Sequence, residues 1–204
     1  IATVKGAPMH LNSVYKAFNG LTPDELFPYA PTAGIPALRK AWQAKQLAEN
    51  PGMKGKIVST PIVTSALTHG LSLVGDLFIQ EGDVIICPDM LWGNYRLTYE
   101  IRLGAVIKTH RTFTDQGGFD TVALRQSLAG APEKVTVILN FPNNPSGYTP
   151  TPAEAGEIVA VLLDAAQQGK KIIVILDDAY FGLFYEDSIK ESLFGALANL
   201  HPNL

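Results

Sequence analysis

The chain has 204 residues, 47% apolar and 17% charged, with a net charge of −3 from 16 basic and 19 acidic side chains. That is enough apolar material for one sizeable core, and the charge is too balanced to suit a nucleic-acid or acidic-membrane partner. A single cysteine, Cys87, excludes an internal disulfide and gives no sign of secretion, and no apolar run approaches the ~20 residues of a membrane span, so a cytoplasmic location is expected.

In chain order, the first helix is expected over 36–49, with Pro36 suited to a first turn and Asn50-Pro51-Gly52 stopping it. Residues 57–64 are β-branched and read as extended. A helix over 68–79 carries apolar positions at helical spacing, and Glu81-Gly82-Asp83 turns the chain. A short strand over 83–87, a helix over 92–103 and a strand over 105–109 follow. Then come a helix over 121–129, a buried strand over 135–140 and a Pro/Asn/Gly loop over 141–150. A long helix from about Thr151 to Gln168, ended by Gly169, leads to the most strongly apolar strand, 171–177. Strands that are nearly all apolar are buried on both faces, which predicts an α/β fold with a mostly parallel central sheet sandwiched by helices in three layers. Ligands of such sheets sit at the carboxyl ends of the strands.

Three strand ends carry polar clusters. Thr64-Ser65-Ala66-Leu67-Thr68-His69-Gly70 joins a strand, 57–64, to a helix. Free N–H groups there, with the Ser65 and Thr68 hydroxyls, can hold an anion, although a plain helix cap has the same composition. Asn140-Phe141-Pro142-Asn143-Asn144-Pro145-Ser146-Gly147 is rich in turn formers and also holds the Asn144 amide beside a proline. Asp177 ends an apolar strand, where a carboxylate is costly without a positive or donor partner. Asp178 faces the other way on an extended chain, which argues against a catalytic pair. The sequence has no P-loop, no dinucleotide glycine fingerprint and no Gly-x-Ser-x-Gly elbow, and its four histidines lack metal-ligand spacing. Cys87 reads as core.

Taken together, Asn-Pro-x-Gly at 144–147 followed by Asp-x-Ala-Tyr at 177–180 resembles the aminotransferase class I/II family of fold-type I pyridoxal-phosphate enzymes. The likeness runs from about Tyr29 to Tyr180. It implies pyridoxal 5'-phosphate as cofactor, with Asp177 on the ring nitrogen and Asn144 and Tyr180 on the phenolic oxygen. Ala66, Leu67 and Thr68 would hold the phosphate. Ala66 and Leu67 depart from the glycine or serine common in the family. Trp92 matches the aromatic that stacks on the ring, and Tyr29 the tyrosine that reaches the phosphate of a neighbouring subunit, which makes a homodimer the expected active unit.

The resemblance also implies a division into an N-terminal segment with a dimer-contact loop, 1–35, and a cofactor-binding large domain, 36–204. The family's Schiff-base lysine should lie further on. Lys190, the one lysine after Tyr180, comes too soon and lacks a serine three places earlier; it reads as a surface residue. The chain is therefore expected to be an incomplete piece, inactive alone, of an enzyme that moves an amino group between an amino acid and a 2-oxo acid. A β-eliminating lyase or decarboxylase of the same fold, or a non-catalytic sensor fused to a DNA-binding module, are the alternatives.

Overall fold

A computed structural model describes residues 3–204. At its N-terminal end β1 (Thr3–Val4) pairs antiparallel with β2 (Ala7–Pro8), and the short helices α1 (Asn12–Phe18) and α2 (Pro23–Leu26) follow. The helix expected over 36–49 is α3 (Pro36–Glu49), with its proline at the first turn. None of these three helices buries a residue.

Residues 57–64 lie in no sheet. Pro61 removes a ladder donor from the middle of the segment, and its backbone bonds to loops instead. Val63 N–H donates to the Ala33 carbonyl at 3.0 Å, the Arg39 guanidinium donates to the Pro61 carbonyl, and Asn199 clasps Ile57 through both its backbone groups.

Beyond this point the pattern read from the sequence is reproduced closely. Helix α4 (Leu67–Phe78) leads to β3 (Val84–Pro88), then β4 (Val106–His110), α5 (Thr121–Ala129), β5 (Lys134–Asn140), α6 (Pro152–Gln167), β6 (Lys171–Asp177) and the short α7 (Phe194–Leu197). The helix expected over 92–103 is shorter. It starts after Gly93 and runs as a π-helix over Arg96–Ile101, where Arg102 N–H reaches back five residues to the Leu97 carbonyl.

Strands β3 to β6 form one parallel sheet in the spatial order β4-β3-β5-β6. Alternation along each strand sorts their side chains onto two faces. Ile85, Cys87, Ile107, Ile138 and Ile175 pack with Leu71 of α4 and with Tyr95 and Tyr99. Ile86, Val137, Leu139 and Ile172 pack with Leu124 of α5, Leu162 of α6 and Leu197 of α7. This is the three-layer arrangement expected. All of β3 and all but Lys134 of β5 are buried, and each full side-chain burial contributes roughly 1.5–3 kcal/mol.

Glu154 fixes α6 in place. It closes a capping box with Thr151 while its Oε1 accepts the Phe119 N–H at 2.7 Å and the Tyr148 hydroxyl at 2.6 Å. Burial alone would raise this carboxyl, but the donors from Tyr148, Thr151 and Phe119 hold it below the ordinary glutamate range.

Candidate functional site

The register of β5 on β6 pairs Asn140 with Asp177 at the carboxyl ends of the two central-to-edge strands. Both side chains fall on the face covered by α4, and each is nearly sealed, at 6% and 4% exposed. Asn140 ties the local chain together. Its Nδ2 donates to the Asp177 carbonyl and its Oδ1 accepts the Asn144 N–H, both at 2.7 Å.

Next to this pair is a cavity of about 270 Å³, lined by Ala66, Leu67, Thr68, Trp92, Asn140, Asn144, Asp177, Ala179 and Tyr180. Seven residues singled out in the sequence therefore converge: Ala66, Leu67, Thr68, Trp92, Asn144, Asp177 and Tyr180. Tyr29 does not line it and is 91% exposed; the role expected of it concerns a partner's cavity. Asn140 and Ala179 were missed as lining residues. Their signal was a polar residue closing the apolar run 135–139 and the single small residue between Asp178 and Tyr180.

At the mouth of the cavity α4 begins at Ala66, which offers no side-chain cap. The first helical bond runs from Gly70 N–H to the Ala66 carbonyl, so the N–H groups of the opening turn point outward with the positive end of the helix dipole behind them. Ser65 takes no part. Its N–H and hydroxyl both meet His69 Nδ1, at 3.2 and 3.0 Å. Of the two hydroxyls considered there, Thr68 is the one in the cavity.

On the floor, Asp177 has no cationic partner among the described residues. Its Oδ1 accepts the Ala179 N–H at 3.1 Å and its Oδ2 the Tyr95 hydroxyl at 2.5 Å. The Trp92 ring stands edge-on to Tyr95, with centroids 5.6 Å apart and planes at 89°. Asp178 points to the opposite face, against Leu139, Phe141, Leu176 and Ser192. Burial first, and then the charge of Asp177, raise its carboxyl above the usual range against a hydrogen bond from Ser192. The two aspartates are not a pair, as the strand geometry predicted.

Cys87 is fully buried, and burial pushes its thiol up to about 12, which rules it out as a nucleophile. No lysine lines the cavity. Lys190 is exposed, its ammonium bonded to the Glu186 carbonyl at 2.6 Å and set over the Phe184 ring. A larger cavity, about 600 Å³, adjoins the 145–149 turn, with Phe113, Tyr148, Leu183 and Tyr185 among its walls. Glu186 is its one carboxylate, and it contains neither Asp177 nor the helix start.

The sequence model for aminotransferase class I and II matches residues 5–203. The aspartate aminotransferase of Geobacillus stearothermophilus is 27% identical over 199 residues, covering 97% of this chain and 46% of the relative. The aspartate/prephenate aminotransferase of Thermus thermophilus is 30% identical over 162 residues, covering 78% of this chain and 39% of the relative. Among solved structures, an aminotransferase from Anaerococcus prevotii superposes with a TM-score of 0.87 at 26% identity, covering 98% of this chain and 49% of that one. A single mutant of the aspartate aminotransferase of Thermus thermophilus gives 0.73 at 25% identity, covering 91% and 46%. The chain thus spans less than half the length of the curated relatives it matches.

Proposed function

Because the chain belongs to the aminotransferase class I and II family, we propose that its cavity holds pyridoxal 5'-phosphate and that the complete protein transfers an amino group between an amino acid and a 2-oxo acid. The observation that carries this reading is Asp177, a carboxylate 4% exposed at a strand end, supplied with two neutral donors and no cation. A buried carboxylate so placed suits a protonated ring nitrogen. The other fittings agree with one flat, phosphorylated, heteroaromatic guest: an uncapped helix start, an indole, an amide and a phenol line the same cavity.

Bound there, the cofactor supplies an electron sink for the bonds at a substrate's α-carbon. The chain's own residues bind and orient. Asp177 holds a proton at the ring nitrogen, and Asn144 and Tyr180 donate to the phenolic oxygen. Trp92 gives the ring a face to lie on and excludes water from that side. The opening N–H groups of α4, with the Thr68 hydroxyl, anchor the phosphate. Ala66 and Leu67 contribute backbone only, so their departure from glycine or serine leaves those donors in place.

The division at 35/36 and a homodimer in the cytoplasm belong to the same proposal. The dimer is supported by the apolar side chains that the first 35 residues leave uncovered, among them Leu11, Tyr15, Phe18, Phe27 and Tyr29, all at least 62% exposed. The Schiff-base lysine would come from outside these 204 residues, and the chain alone would be inactive. The donor amino acid is read no further than the class; the relatives named for aspartate and prephenate make aspartate the first donor, and prephenate the first 2-oxo acceptor, to try.

The test is a visible-absorption titration of the complete gene product with pyridoxal 5'-phosphate, followed by a panel of amino acids. A band that bleaches with one amino acid and returns with a 2-oxo acid is expected. Failure of the complete protein to bind the cofactor would remove the catalytic reading. Release of pyruvate and ammonia without an acceptor acid would replace transfer by elimination.

A further inference from the structure

One hydrogen bond in the molecule joins the cavity floor to the apolar core beneath it. Tyr95 is 2% exposed, set in the cluster of Ile85, Cys87, Tyr99 and Ile138, and its hydroxyl donates to Asp177 Oδ2 at 2.5 Å. The residue stands where the chain turns from Trp92 into the π-helix, an insertion that alters which side chains face inward. Tyr95 and Tyr99, four residues apart on one helical face, both point under the sheet, and the Tyr99 hydroxyl donates to the Leu71 carbonyl at 3.1 Å. The same Tyr95 ring meets Trp92 edge-on. One side chain therefore touches both the carboxylate and the stacking face.

We propose that Tyr95 is a positioning residue that fixes the Asp177 carboxylate in the plane from which it meets the cofactor's ring nitrogen. The inference rests on the pyridoxal-phosphate reading above and adds to it a residue outside the cavity lining. With Tyr95 on Oδ2 and the Ala179 N–H on Oδ1, each oxygen has one protein donor, so rotation about the Cβ–Cγ bond breaks both bonds. Removing the Tyr95 donor leaves one N–H to hold the group. Burial, then the bond to Asp177 and its charge, push the Tyr95 hydroxyl far up, so it stays a donor across the physiological range. A charge-assisted bond this short orients as well as stabilises. The role would be specific to the ring nitrogen, the group of the cofactor that Asp177 would hold.

That specificity makes a clean experiment. Binding of pyridoxal 5'-phosphate is compared with binding of its 1-deaza analogue, in which carbon replaces the ring nitrogen, using the complete gene product and its Tyr95→Phe variant. Tyr95→Phe is expected to weaken the natural cofactor about tenfold and the analogue by less than about twofold. It should also shift the pH dependence of the bound cofactor's visible spectrum. 4-Aminophenylalanine at position 95 keeps the ring and an N–H donor; it should restore most of the difference and serves as the folded control if Tyr95→Phe proves unstable. Equal weakening of both probes would reduce Tyr95 to a packing residue and overturn the inference, as would no weakening of either. A parent protein that binds neither probe would overturn the pyridoxal reading, and this inference with it.

Discussion

All five residues of β3 are buried, while α1, α2 and α3 bury none. The two regions have similar shares of apolar side chains to place. In the sheet region those side chains alternate between two helical layers supplied by the chain itself, whereas in α1, α2 and α3 they stay outside the core. The cavity follows the same division. Its residues from α4 onward are set by strand register, with Asn140 beside Asp177 by backbone pairing alone. Tyr29, from the other region, is 91% exposed and joins nothing. A site is complete within one chain only as far as the core that aims it.

The contrast can be broken by substitution. Leu162→Ala, at a fully buried position in α6, should cost about 3 kcal/mol in urea denaturation. Gly195→Ala comes next. A Cβ there would sit 2.7 Å from the Gly52 carbonyl carbon, so α7 must lift from the 51–53 turn, at about 2 kcal/mol by the same measurement. Asn140→Ala frees a carbonyl and an N–H at the two strand ends, an expected loss of about 1.5 kcal/mol.

Glu154→Gln should lose about 1 kcal/mol at neutral pH, and it also sharpens the comparison through acid. The Glu154 carboxyl lies below its ordinary 4.5 in the folded chain. Its contribution is therefore complete above about that pH and disappears as pH falls through the lower folded value. Denaturation midpoints measured down to about pH 3 should converge for parent and variant. Phe27→Ala is the smallest, within about 0.5 kcal/mol in the isolated chain. Should it cost as much as Leu162→Ala, the first region is packed after all, and the contrast fails.

The sheet was legible because its strands are apolar runs bounded by turn signals, and its order of helices and strands needed only periodicity. The site was legible by rule, since strand ends are where such sheets bind, and Asp177 is conspicuous at the end of five apolar neighbours. Two things were hidden. Residues 57–64 have strand composition, but a sheet needs an edge to join, and Pro61 with the loop contacts of Val63 and Ile57 took the backbone elsewhere. The other was Tyr95. Nothing in Leu91-Trp92-Gly93-Asn94-Tyr95 announces that the Tyr95 phenol reaches a carboxylate 82 positions away.

The two borders of the sheet differ in a way that bears on handling the molecule. β4 carries Lys108 in its middle, a charge that discourages another strand from docking. β6 runs Ile-Ile-Val-Ile-Leu between Lys171 and Asp177, with no interior charge and no proline, and on its free side the Ile172 N–H is met by the Asn203 carbonyl. Such a border is a template for fibrillar growth. Prepared alone at high concentration, the chain should seed its own stacking there, with dye-binding kinetics that quicken as the chain concentration rises.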